Sequence, residues 1–306
     1  MKQNSKPVRL DFMKYKLLFF IVSAIFLVPS IYALVFWGLK PAIDFTGGTI
    51  IEIRNEKLDI QNVDHKVEIE NALKEEDSQL ASIQNSGEKT FILKTKEINK
   101  DKKELVLSKL KNTFGEIEEI RFETVGPTIG KELIKKTIIS IFLAAGFILF
   151  YVAYSFKEKR YGVCAILAMF HDTLILLGTF SILGHFFKVE VDTLFVTAVL
   201  TILSFSVHDT VVVYDRIRES VKLHPKAKFY DLVNKAVAET LTRSVNNSLT
   251  IIFMLLALYL LGGETIKWFV FALLIGTIAG TYSSTFTAAP LLVLWEKISN
   301  KSKKKN

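Results

Sequence analysis

Val191–Tyr214 reads VDTLFVTAVLTILSFSVHDTVVVY. Its length passes the roughly 20 mainly apolar residues that an α-helix needs to cross the hydrocarbon layer of a membrane. It also carries His208-Asp209 inside the apolar run, where an ionisable pair is costly and marks function more often than chance. Five further stretches have the same character: Leu17–Trp37, Thr137–Phe156, Tyr161–Phe187, Val245–Leu261 and Trp268–Trp295. Half of the 306 residues are hydrophobic and the mean hydropathy is +0.32. That apolar content falls in blocks, so it reads as six membrane spans, not as one large core. A cleaved signal peptide is disfavoured for the first block, which is long and followed by no A-x-A-like site.

The net charge of +8 is arranged, not scattered. Lys2, Lys6, Arg9, Lys14 and Lys16 precede the first span, and Lys157, Lys159 and Arg160 follow the second. Arg216, Arg218, Lys222, Lys226, Lys228, Lys235 and Arg243 lie between the fourth and fifth, and Lys297, Lys301 and Lys303 to Lys305 close the chain. The alternate connections, His185–Glu190 and Gly262–Lys267, are short and nearly neutral. By the positive-inside rule this places both termini in the cytoplasm. The basic clusters are thereby explained by topology, with anionic lipid headgroups as neighbours and no call for nucleic acid. The single cysteine, Cys164, excludes an internal disulfide.

The expected organisation is a cytoplasmic N-terminus and first helix over 1–38, an extracytoplasmic domain over 39–136, helices two to six over 137–296, and a basic tail over 297–306. Within the domain, Gly48–Arg54 alternates as a strand and Val63–Glu76 has helical spacing. Leu80–Gln84 and Thr90–Thr95 flank the turn signal Asn85-Ser86-Gly87. Leu105, Leu107, Leu110 and Phe114 mark a helix closed by Gly115, and Ile117–Val125 alternates again. The order β-α-β-β-α-β predicts a ferredoxin-like α+β domain. It contains no metal cluster, nucleophile triad or phosphate loop, so a binding or mechanical role is expected and an enzyme is not. No cofactor is implied.

Three groups are candidates for intramembrane chemistry: His171-Asp172, His208-Asp209 and Arg243. Asp209 precedes Asp215-Arg216 by six positions, about 9 Å of helix above the cytoplasmic boundary. Arg243 enters its span from the same side, so the two fall at similar depth, where they can meet. Such a pair lowers the desolvation cost of both partners and opens when the carboxylate is protonated, because arginine stays charged. A static structural pair is equally compatible with these residues. His171-Asp172 lies about 16 Å into its span and reads as a hydrogen-bond network. Asp215, Arg216, Arg218 and Glu219 read as a solvated helix end, and Gly276 with Gly280 as a small-xxx-small packing pair.

Four segments together resemble the SecF family of the bacterial protein-export machinery, within the resistance-nodulation-division superfamily. They are Ala42-Ile43-Asp44-Phe45-Thr46-Gly47-Gly48-Thr49, Val125-Gly126-Pro127-Thr128-Ile129-Gly130-Lys131-Glu132-Leu133, Ser206 to Glu219, and Gly280-Thr281-Tyr282-Ser283-Ser284 with Ala289-Pro290. The resemblance implies a plasma-membrane subunit that pairs with SecD, serves the SecYEG channel and assists export of a translocating polypeptide. It implies a proton (in some organisms sodium) gradient as the energy source, with Asp209 and Arg243 in the proton-coupling positions. Asp44, Gly47, Gly48, Gly126, Pro127, Asp215 and Arg216 fall on its signatures. His208 departs from the family's usual Asn; it either modifies the proton path or fills space. A half-sized resistance-nodulation-division exporter of lipids or drugs is the alternative, disfavoured because such exporters carry two six-span halves.

Overall fold

A computed structural model describes residues 11–56, 58, 63–74, 80–87, 89–156 and 158–303. Lys2, Lys6, Arg9, Lys157, Lys304 and Lys305, and the last two residues of the helix expected over Val63–Glu76, lie outside them. The chain divides into two compact units, Met1–Lys40 with Ile141–Val189 and Leu194–Asn306, and Pro41–Ser140 with Glu190–Thr193.

The first unit is helical. Among the described residues, six helices are long and apolar enough to span a membrane. They are α1 (Lys16–Phe36), α5 (Pro127–Ser155), α6 (Lys159–Phe187), α7 (Thr193–Leu223), α8 (Phe229–Leu261) and a last one built in three parts. Those parts are α9 (Glu264–Ser283), a π-helical segment Ser284–Ala288 and α10 (Ala289–Lys303). α5 begins in the other unit and enters this one at Ile141. The buried share is 50% for α6 and 56% for both α7 and the three-part last helix, against 6% for α5, so these three helices form the centre. Small residues set the closest approaches. A Cβ on Gly178 of α6 would fall 2.2 Å from Ser30 Cβ of α1, and one on Gly276 of α9 would fall 2.4 Å from Ile202 of α7. Gly280, one turn on, lies against Phe205 and Ser206. The small-xxx-small pair thus seats α9 on α7.

The second unit is α+β. The short α2 (Ile43–Thr46) leads into β1 (Gly48–Arg54), α3 (Val63–Lys74), β2 (Leu80–Gly87), β3 (Thr90–Thr95), α4 (Lys100–Phe114) and β4 (Glu118–Val125). The sheet order is β2-β3-β1-β4 and every neighbouring pair is antiparallel. This agrees with the split β-α-β order of a ferredoxin-like arrangement. β1 turns Ile51 and Ile53 into a core with Ile69, Leu73, Leu107 and Leu110 from the two helices. Asn99 caps α4 through a bond from Lys102 N, and Gly115, at φ +82°, ends it as only glycine does without strain. The hairpin differs from expectation in one detail. β2 continues through Asn85-Ser86-Gly87 with a bulge, and the positive-φ residue of the connection is Lys89. A bulge absorbs the extra residue without ending the pairing, which hides the turn from a composition signal.

In this unit the first two signature segments meet. Gly47 stands at φ +75°, and a Cβ there would lie 2.9 Å from Pro127 Cα. A Cβ on Gly130 would lie 2.8 Å from Phe45 O, and one on Gly48, at φ +133°, 2.8 Å from Thr95 O. Gly126 packs on the Glu97 carboxylate, and Pro127 opens α5, where its missing N–H costs nothing. Asp44 accepts from the Thr193 amide at 3.0 Å and its hydroxyl at 2.8 Å, placing negative charge at the start of α7.

Candidate functional site

Ser206 and Asp209 are three residues apart on α7 and therefore share a face, which is turned inward. Asp209 is 4% exposed, and Asp172 of α6 is 0% exposed. Each carboxylate is held by serine hydroxyls from different helices. Asp172 Oδ2 accepts from Ser206 of α7 and from Ser283 of α9, both at 2.5 Å. Its Oδ1 meets Nδ1 of the neighbouring His171, itself buried, at 2.9 Å. Asp209 Oδ2 accepts from Ser284 at 2.8 Å, and Oδ1 from Ser244 of α8 at 3.3 Å. Beside them Thr281 donates to Ser248 across α9 and α8 at 2.6 Å.

Ser283 and Ser284 are consecutive and stand where α9 passes into the π-helical segment. A π turn carries one residue more than an α turn and recurs at functional sites. Here it aims two adjacent hydroxyls at two different carboxylates. Each also lies near a carbonyl of its own helix, Ser283 3.2 Å from Gly280 O and Ser284 3.1 Å from Thr281 O. Each hydroxyl therefore has two acceptors for one proton.

The candidate pairing of Asp209 with Arg243 is not formed. Arg243 is exposed and, among the described residues, makes no ion pair; the next residue, Ser244, reaches Asp209 instead. The reason is helix phase: one step along α8 turns a side chain by about 100°. The same step on α7 leaves His208 exposed while Asp209 is buried. The helix end behaves as expected, with Arg216 paired to Glu219 and Glu239, each at 2.6 Å, and Asp215 to Arg218 at 3.1 Å, all partly or fully exposed. His171 and Asp172 share a hydrogen bond, which the Ser206 and Ser283 hydroxyls extend. Sequence reasoning missed the four serines, Ser206, Ser244, Ser283 and Ser284. Ser206 carried the signal of a hydroxyl three residues from an acid in an apolar helix, and Ser206, Ser283 and Ser284 fell within the signature segments without a role being read from them; Ser244 carried no such signal.

A family described as protein export membrane protein SecD/SecF, C-terminal, matches residues 105–298. A protein translocase subunit SecF from Thermobaculum terrenum is 43% identical over 304 residues, covering 94% of each chain. The chain belongs to the SecF family of protein translocase subunits. A second such subunit, from Anaerolinea thermophila, is 38% identical over 94% of each chain. The fold agrees with that membership: the crystal structure of Thermus thermophilus SecDF, a translocon-associated membrane protein, matches with a TM-score of 0.81 at 32% identity. The match covers 94% of this chain and 38% of that one, so the SecF-like chain spans about two fifths of SecDF. The family's accessory role in Sec protein translocation extends to this multi-pass membrane protein.

Proposed function

We propose that this chain works with SecD as a proton-driven accessory to the SecYEG channel, drawing an exported polypeptide out of the membrane. The observation that carries this reading is Asp209: a carboxylate buried in a membrane helix and, among the described residues, hydrogen-bonded by hydroxyls alone. A buried ion without a counter-ion is strongly disfavoured in a low-dielectric layer, so its charge state responds to proton supply. Hydroxyls accept or donate, and so tolerate both the ionised and the neutral acid.

The SecDF relative supports the pairing with SecD, since in it a stretch like this chain forms 35% of one longer polypeptide. Exposure of polar side chains on two membrane helices supports it too. Thr201, Ser204 and His208 lie outward on α7, and Arg243, Asn246 and Asn247 on α8. Such faces are unfavourable against lipid and suit a polar partner helix. Arg243 remains in the proposed proton-coupling pair with Asp209 as a cation held on this outward face. The positive-inside pattern sets both termini in the cytoplasm of a bacterial plasma membrane, next to anionic lipids, with residues 39–136 outside and in contact with the emerging chain.

The test is export into membrane vesicles holding the SecD partner and the channel, as the ratio of rates with and without an imposed proton gradient. Asp209→Asn is expected to bring the ratio to one. A wild-type ratio in a normally inserted Asp209→Asn protein would remove Asp209 from the coupling, and stimulation by a sodium gradient alone would replace the proton.

A further inference from the structure

Two buried carboxylates share the centre of the helical unit, yet Arg243 reaches neither. Among the described residues, the one cationic or protonatable group bonded to them is His171. Two bare negative charges in a membrane interior are too costly to persist, and one imidazolium balances at most one of them. The remainder must be supplied by protons.

Ser283 and Ser284 bind the two carboxylates to one piece of backbone, and each keeps a second acceptor on its own helix. His171 contributes the remaining piece. Its Nδ1 faces Asp172, while Nε2 is buried and has no hydrogen-bond partner among the described residues. In the neutral ring that donates from Nδ1, Nε2 is a bare acceptor.

We infer that Asp172 and Asp209 form a single two-carboxylate proton site, joined by Ser283 and Ser284, with His171 delivering protons to Asp172. This rests on the proton-driven reading above and extends it from one residue to a cluster on four helices. A proton of the gradient binds Nε2 of neutral His171. The Nδ1–H bond breaks as that proton passes to Asp172 Oδ1, and the imidazole is left neutral with its hydrogen on Nε2. Asp172 then loses its charge, and its hold on the Ser206 and Ser283 hydroxyls weakens. The Ser283 proton turns to Gly280 O, and the constraint on the start of the π-helical segment changes. Because Ser284 is the next residue, the change is felt at Asp209.

The surroundings leave few competing titrations. α7 contributes His208, which with Asp172 interacts electrostatically with Asp209. α8 turns Ser244 inward and Arg243 outward. α9 and the π-helical segment present hydroxyls at both acids, and α1 packs Ser30 against Gly178 and Ser23 against Thr287. Tyr214 and Tyr282 spend their hydroxyls on the Ala288 and Phe19 carbonyls.

The experiment measures the gradient-dependent export ratio across about pH 5 to 8, the range in which imidazole titrates. It uses the full chain with its SecD partner, with protein level in the membrane recorded. Asp172→Asn is expected to abolish the ratio as Asp209→Asn does. His171→Asn keeps a donor toward Asp172 but cannot relay a proton, so the gradient-dependent increment falls at least about tenfold and its pH dependence flattens. Ser283→Ala leaves both acids in place and shifts the pH midpoint by about one unit, a tenfold change in proton affinity from one charge-assisted hydrogen bond. Wild-type profiles in Asp172→Asn and His171→Asn, with Asp209→Asn inactive, would leave Asp209 acting alone and overturn the cluster. A wild-type ratio in Asp209→Asn as well would sink the proton-driven reading itself. If Asp172→Asn fails to insert, unchanged profiles in both His171→Asn and Ser283→Ala overturn the proposal.

Discussion

At the scale of single residues, burial decides which polar groups matter. Asp172 and Asp209 were legible in the sequence because a carboxylate inside an apolar run is conspicuous. Which groups they touch was not, since that depends on the phase of four helices. Gly178 shows the other kind of residue-level constraint. Its absent side chain leaves room for Ser30 of α1, the residue after Pro29, whose missing N–H interrupts the hydrogen bonding of that helix as membrane helices tolerate. Gly178→Val is expected to destabilise the helical unit by about 1–3 kcal/mol through overpacking, read as a lower thermal unfolding temperature in detergent. An unchanged melting curve would mean that α1 and α6 separate freely. Tyr214→Phe removes the buried donor to Ala288 O and should cost about 1 kcal/mol in the same assay.

At the scale of elements, the last span matters most. Its sequence predicts one continuous helix over Trp268–Trp295, and the structure keeps one span over Thr265–Asn300 but inserts a π-helical segment between α9 and α10. Pro290 cannot donate a backbone hydrogen bond to the turn before it, and Tyr214 donates to Ala288 O at 3.0 Å in the same stretch. In the α+β unit, α4 is tied to the sheet by Lys103. The Glu104 and Glu119 carboxylates beside that amine raise its pKa, and Glu119 stands on β4 at 3.0 Å. A raised pKa in the folded state contributes stability that is full below the ordinary lysine value and is lost as pH rises past it. The unit should therefore lose a little stability above about pH 10.4, and Lys103→Met should flatten that limb in a chemical-denaturation series. Asn99→Ala is expected to cost about 1 kcal/mol through the lost cap of α4, measured by the same series at neutral pH.

At the scale of the whole molecule, six spans and alternating basic segments lead to an orientation that a labelling experiment can check. Cys164 is buried, so a Cys164→Ala background suits the introduction of single reporters. In intact cells, Ser108→Cys is expected to react with a membrane-impermeant maleimide, and Lys226→Cys to react only after the membrane is opened. Reaction of Lys226→Cys in sealed cells would reverse the proposed topology. α5 leaves Phe142, Phe147, Phe150 and Tyr154 exposed by 55% or more. In water such a surface is an aggregation hazard, whereas lipid covers it at no cost.

The sequence alone determined the number of spans, the α+β order of the intervening domain and the identity of the buried acids, because hydrophobic periodicity and the cost of a charge in lipid are local properties. It also selected the signature glycines, although their reason, the approach of Gly47 and Gly130 to backbone far away in the chain, is tertiary. Only the tertiary structure decided that Ser244 and not Arg243 reaches Asp209. It alone brought Ser283 and Ser284, more than 70 residues on, to two acids on different helices. One residue of helix turns a side chain by about 100°, and that angle is fixed by how the helices pack, which no single segment contains.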